Sequence, residues 1–363
     1  MKTETKAELK KFIIGCAKIL SFFLVLAILL EVLSITYFSK KGAVDYKTGL
    51  NKAYAYMQEP NNTIDVLCIG NSDLYSAVVP AEFWTKFGFT STVIASPHQT
   101  PLQSYAMLKE FYKTQKPKVV VIELDMLYDK SLKDVTGIER NQSLASYVID
   151  NYDAEDFDEV VKSHFSVFTF HNKWKKIGKK KRRETPNSHG YKYSEAVCDV
   201  NIGEYMIETD EKEPIKQNSK DYIKKMIQFV ESNGGSVFFA EMPTVTSWNM
   251  ERHNAAAEFC EEIDRDFLDY NLMIDELGVD INKSFRDKGN HLNYYAACAI
   301  SRHMGKYILA NYDMEDRRND PDYEFYDKSI KKFYKEVKVA RKREKNKFLK
   351  KQLDEEYKEE EQL

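Results

Sequence analysis

Two short stretches, more than two hundred positions apart, carry residue types able to cleave or transfer an ester. The first is Gly70-Asn71-Ser72-Asp73-Leu74-Tyr75, directly after an apolar run. A serine following Gly-x on a strand-to-helix turn has its hydroxyl exposed at a sheet edge. Its amide N–H points into the same space and can donate to a developing oxyanion. The same residues also suit a simpler role, with Ser72 or Asp73 capping the next helix. The second stretch is Phe285-Arg286-Asp287-Lys288-Gly289-Asn290-His291-Leu292-Asn293, where Asp287 precedes His291 by four positions on one loop. A carboxylate so placed holds the imidazole in one tautomer and stabilises the imidazolium, while the other ring nitrogen takes a proton from a serine. Alone, this loop also reads as a capped helix start.

For the two stretches to act together, the fold must bring them to one rim. Ile64–Ile69, Thr92–Ala95 and Lys118–Leu124 are apolar runs of strand length, the third almost continuously β-branched, as in a parallel strand buried on both faces. Gly235–Ala240 reads as a fourth strand and Phe267-Leu268-Asp269 as a short fifth. Helical spacing falls between them, at Ser104–Tyr112, Tyr222–Glu231, Met250–Asp264 and from about His291 to Asn311. Strands alternating with helices predict an α/β fold, with a parallel sheet between two helical layers. In such sheets reactive groups gather at the carboxyl ends of the strands. Trp248, His253 and Asn254 follow Glu241-Met242-Pro243-Thr244 at the end of the fourth strand, where they line a substrate cleft or pack and cap the helix. His98 stands in a loop near the same edge without a partner in sequence, and His164, His171, His189 and His303 are given surface or packing roles. No spacing of His, Cys or acids suggests a metal, and no glycine-rich phosphate loop suggests a nucleotide, so no cofactor is expected.

The composition fits this reading. The 363 residues carry 54 basic and 57 acidic side chains, a formal net charge of −3, with 43% hydrophobic and 13% aromatic residues. That is enough apolar material for a core and excludes a disordered chain. Near-neutral charge argues against a dedicated nucleic-acid binder. A mean hydropathy of −0.55 excludes a polytopic membrane protein. Cys16, Cys68, Cys198, Cys260 and Cys298 are far apart and form no CxxC, so they are expected as free, buried thiols.

One segment is nevertheless membrane-like. Phe12 to Phe38 is a run of 27 residues with only two charges, Lys18 and Glu31. At ~1.5 Å per residue it can cross a hydrocarbon core of about 30 Å. Residues 35–40 offer no small-x-small cleavage site, which favours an uncleaved anchor over a signal peptide. The expected organisation is a cytoplasmic N-terminus (1–11), a transmembrane anchor (12–38), a linker (39–62), an extracytoplasmic domain (63–312) with an insertion at about 126–215, and a charged, helix-prone tail (313–363). The insertion contains the basic run Lys173–Arg183, suited to phosphate-bearing lipids or polymers or to a solvated loop. The tail keeps no sustained heptad and reads as a solvated helix.

Taken together, the early Gly-x-Ser and the late Asp–His loop resemble the SGNH/GDSL hydrolase superfamily, over about Ile64 to Asn311. "IGNSDLYS", "KPKVVVIEL" and "HLNYYA", behind a single N-terminal anchor, are similar to its membrane-anchored branch associated with teichoic-acid D-alanylation in Gram-positive bacteria. The resemblance implies a flavodoxin-like three-layer αβα sandwich, with Ser72 as nucleophile, His291 as general base and acid, and Asp287 as the orienting carboxylate. It further implies a single-pass protein of the cell membrane acting on a cell-envelope glycan or teichoic-acid-like polymer, with a membrane-bound O-acyltransferase as partner. Departures are visible too. The segment Ala95-Ser96-Pro97-His98-Gln99 lacks the second family glycine, the G-x-N-D block is absent, and the Asp-to-His gap is four rather than three. Gln99 is then the expected replacement donor, with Asn71 beside the serine as a further substrate-binding or oxyanion group. A catalytically silent scaffold with the same fold is the alternative.

Overall fold

The computed structural model describes residues 2–38, 53, 55–57, 59–128, 161, 164–170 and 187–360. The basic run Lys173–Arg183, His171 and much of the expected linker and insertion lie outside the described residues. The described chain divides into two units, 1–45 with 136–182, and 46–135 with 183–363.

In the first unit a helix runs over Lys2–Ile35, starting well before the apolar stretch read from sequence. Its Glu8–Ile35 portion has a hydropathy of 2.7 and is long and apolar enough to cross a membrane. Its end is tied to a short helix, Ser166–Phe170, because Ser166 Oγ donates to the carbonyls of Ser34 (3.1 Å) and Phe38 (2.9 Å). His164 Nε2 lies 3.3 Å from Glu31, giving the acid near the end of the apolar run a partner.

In the second unit five parallel strands form one sheet: β1 (Val66–Gly70), β2 (Ser91–Ala95), β3 (Val119–Glu123), β4 (Ser236–Glu241) and β5 (Phe267–Asp269). Their spatial order is β2-β1-β3-β4-β5, the doubly wound order expected of a flavodoxin-like sheet. All five residues of β1, β2 and β3 are buried, so both faces are covered. Side chains alternate across the sheet. Val66, Cys68, Val93, Val119, Val121 and Phe238 join one core cluster with Leu74, Phe83, Ile300 and Met304, from the helices Leu74–Ala77, Pro80–Phe87 and Tyr294–Asn311. A second pair of helices, Pro101–Phe111 and Gln217–Ser232, packs together, the latter also against β4.

Three segments differ from the sequence reading. Ala53, Ala55 and Tyr56 of the expected linker are buried, Tyr56 edge-on to Phe111 with ring centroids 4.7 Å apart. The returning end of the insertion belongs to the core: the Val93 N–H donates to the His189 carbonyl (2.9 Å) and the Lys192 N–H to that of Tyr75 (2.8 Å). The last helix, Glu324–Glu360, is not a solvated tail at its start, since Tyr326, Ile330, Phe333 and Val337 are all buried. The Tyr326 hydroxyl receives the Ser91 N–H (3.0 Å) and donates to the Ser91 carbonyl (2.6 Å). The outer edge of β2 is therefore occupied, which blocks pairing with another chain.

Candidate active site

The turn after β1 is shaped from β3. Gly70 has no Cβ because a Cβ there would lie 2.3 Å from Glu123 Oε2, the atom that accepts the Asn71 N–H. The Asn71 side chain then closes the turn, its Oδ1 accepting the Asp73 N–H (2.8 Å) and its Nδ2 donating to Asp125 Oδ2 (2.6 Å). With its amide so engaged, Asn71 builds the turn rather than lining a substrate space. Ser72 emerges half-buried at the top, its carbonyl accepting the Ser76 hydroxyl at 2.7 Å. Asp73 opens the Leu74–Ala77 helix without a side-chain cap. Its buried carboxylate is aimed elsewhere: Oδ2 accepts from Ser247 Oγ at 3.3 Å, and Oδ1 takes no hydrogen bond.

The late loop is a tight hairpin, with an antiparallel bridge between Phe285 and Leu292. Gly289, at φ +101°, makes its turn possible. Asp287 Oδ2 lies 2.5 Å from His291 Nδ1, and Asp287 Oδ1 accepts the backbone N–H groups of His291 and Asn290, each at 2.9 Å. One carboxylate thereby fixes both the loop and the ring. Asn293 takes the capping role at the start of the following helix, accepting the Ala296 N–H.

The two stretches meet. The His291 ring stacks on Tyr75, with centroids 6.1 Å apart and planes 5° from parallel. His291 Nε2 faces the Ser72-Asp73 turn, 3.9 Å from Asp73 Oδ1, with Asn290 Nδ2 at 3.3 Å. Among the described residues, no hydrogen bond joins Ser72 Oγ to His291 Nε2. The Thr244–Ser247 loop ties the two sides together: Thr246 Oγ1 donates to Asn290 Oδ1 (2.8 Å), the Val245 N–H to the Gly289 carbonyl (2.7 Å), and Ser247 reaches Asp73.

Burial pushes the His291 imidazole below its ordinary value, and the hydrogen bond to Asp287 offsets this only in part. Burial pushes the Asp287 carboxyl up, but the N–H and imidazole donors of His291 outweigh it and hold the group below its ordinary value. A neutral imidazole with an ionised carboxylate on Nδ1 is the pairing a general base needs. Burial and the neighbouring Asp125 push Asp73 well up; burial and Asp73 do the same to Glu123, and burial and Glu123 to Glu241.

The remaining sequence candidates are structural. Gln99 is fully buried, its Nε2 donating to the Ile94 carbonyl (3.3 Å) and Ser104 Oγ (2.9 Å), so its donors are not offered to a substrate. Trp248 Nε1 (2.8 Å) and His253 Nδ1 (2.7 Å) both meet Asp269 Oδ2, and Asn254 Nδ2 donates to the Thr209 and Glu211 carbonyls. They brace the helix Met250–Glu262 instead of lining a cleft. Sequence reasoning missed Tyr75, Asp73 in its role against the imidazole, Ser247 and Asn290. A signal was present for the acids: β1, β3, β4 and β5 each end at or just before one (Asp73, Glu123, Glu241 and Asp269).

No protein-family profile and no curated protein matches the chain. Among solved structures, a candidate acylhydrolase from Bacteroides fragilis NCTC 9343 is similar at 12% identity and a TM-score of 0.36, over 74% of this chain and 97% of its own. A likeness at that level carries no functional argument.

Proposed function

We propose that this chain is a membrane-tethered serine esterase or O-acyltransferase, with Ser72 as nucleophile, His291 as base and acid, and Asp287 as its orienting partner. The observation that carries the reading is the Asp287–His291 pair, closed at 2.5 Å and delivered against the Ser72-Asp73 turn. Ser72 Oγ attacks the acyl carbonyl carbon and gives its proton to His291 Nε2. The tetrahedral adduct then breaks the ester C–O bond, and the leaving alkoxide takes that proton. Water or an incoming hydroxyl attacks the acyl-serine, with His291 moving the proton back. Catalytic hydrogen bonds are often long before substrate binds, so an open Ser72–His291 distance is compatible with this scheme.

The apolar helix supports a tether, and the resemblance of the motifs supports an outward-facing domain in a Gram-positive envelope. The same resemblance supports an acylated glycan or teichoic-acid-like polymer as substrate and a membrane-bound O-acyltransferase as partner. A membrane-impermeant fluorophosphonate tests site and orientation together. The probe is expected to label the wild-type chain in intact cells and in detergent, and to spare Ser72→Ala in both. Equal labelling of the two proteins removes Ser72 from the mechanism, and labelling only after lysis removes the outward orientation.

A second reading, a scaffold that binds a glycan or organises an envelope acylation complex without catalysis, is favoured by one observation. Gln99 spends both side-chain donors on Ile94 and Ser104, and the Asn71 amide is held by Asp125. Full complementation of a deletion strain by both Ser72→Ala and His291→Ala is the outcome expected of a scaffold.

A further inference from the structure

Beside the paired stretches lies a cationic feature that the esterase scheme does not use. Lys192 and Arg286 converge on the ring of Tyr75, the ring that also stacks on His291. Lys192 Nζ is 5.4 Å from its centroid and Arg286 Cζ 5.8 Å. The arrangement is built, not incidental. The Arg286 guanidinium donates to the Lys192 carbonyl at 2.9 Å and to Ser76 Oγ at 2.8 Å, while the Lys192 N–H is anchored on the Tyr75 carbonyl at 2.8 Å. These hydrogen bonds and ring contacts hold both cations beside Tyr75. Among the described residues neither cation has a carboxylate within 4.0 Å.

The acids nearest the pair bond to other groups. Asp287 is engaged by the His291 ring and by two backbone N–H groups, and Asp73 is buried with its Oδ2 accepting from Ser247. Burial and then the Arg286 charge depress the Lys192 ammonium, and the Asp287 carboxylate offsets this only in part. Holding two cations together costs free energy that an anion placed between them returns. Lys192 itself is exposed, so an arriving group can reach it.

We propose that Lys192 and Arg286 form a seat for an oxyanion, a phosphate or carboxylate group, carried by the substrate next to the ester that Ser72 attacks. The inference rests on the esterase reading for its role in catalysis and on the cation pair alone for binding. It makes the preferred substrate an acyl ester of an anionic alcohol rather than of a neutral one.

The test uses the full chain in detergent at low ionic strength, with two readouts. Inorganic phosphate, titrated calorimetrically, is expected to bind the wild type saturably. Binding should weaken about tenfold in Lys192→Gln, vanish in Lys192→Glu, and stay within about threefold in Lys192→Arg, as for loss or retention of one charged hydrogen bond. In turnover, the ratio of kcat/KM for acetyl-glycerol phosphate over acetyl-glycerol is expected to fall about tenfold in Lys192→Gln, and the wild-type ratio to shrink with added salt. Arg286 is left intact because it also braces Ser76. Phosphate binding unchanged in Lys192→Glu overturns the seat, whatever the enzyme does. Binding lost in the variants while the wild type turns over neither ester leaves the seat standing and removes the esterase reading.

Discussion

At the scale of single residues, the pairing of Asp287 with His291 makes the sharpest demand. Because burial lowers the imidazole below its ordinary 6.5, the base form is already present in mildly acid solution. The rate of ester cleavage, as kcat/KM, is therefore expected to rise with pH through a midpoint below 6.5. Asp287→Asn removes the one contact that raises His291, so the midpoint should move further to acid while the plateau falls by about three to four orders of magnitude. A midpoint that moves to higher pH in this variant contradicts the assignment. The Asp287–His291 contact was legible in the sequence because the spacing within that short stretch is fixed locally. Asp73 was not: a carboxylate beside a serine at a helix start satisfies the rule for a cap, and only the fold shows its oxygens turned toward Ser247 and His291. The same holds for Gln99, whose polar type suggested a donor but whose bonds go to Ile94 and Ser104.

At the scale of elements, the carboxyl edge of the sheet gathers buried acids whose titration the fold shifts upward. Asp73, Glu123 and Glu241 are each pushed upward, first by burial and then by a neighbouring acid. A group whose folded value lies above its unfolded one binds more protons when folded. Its contribution is complete below the unfolded value, near 4 for a carboxyl, and is lost as pH rises through the folded value. Stability, read as the melting temperature, is thus expected to fall as pH rises above about 4, by up to ~1.4 kcal/mol per pH unit for each proton released on unfolding. Glu123→Gln, which keeps an acceptor for the Asn71 N–H without a charge to ionise, should flatten that slope. A wild-type melting temperature rising over the same range is the opposite result. The strands themselves were legible, since each is an apolar run of the right length with an acid or a turn after it. Their shared edge was not, because no single acid reveals that others end beside it.

At the scale of the whole molecule, the final helix completes the domain. Tyr326, Ile330, Phe333 and Val337 form a stripe at helical spacing. In the sequence this stripe is diluted by the dense charges around it, which is why the segment reads as solvated. Phe333→Ala is expected to cost about 3 kcal/mol in a thermal or urea melt, the usual loss for a buried aromatic ring. A change below about 0.5 kcal/mol would show that the helix is only resting on the surface. The closure of β2 carries one more consequence. Ser91 is bonded to Tyr326, 235 positions later, so an early strand receives its edge partner only after all five strands have been synthesised. A ribosome-bound chain halted before that tyrosine holds an unfinished sheet border, exposed to proteases and sticky to its neighbours. Completion of this sheet therefore waits for the segment that carries Tyr326.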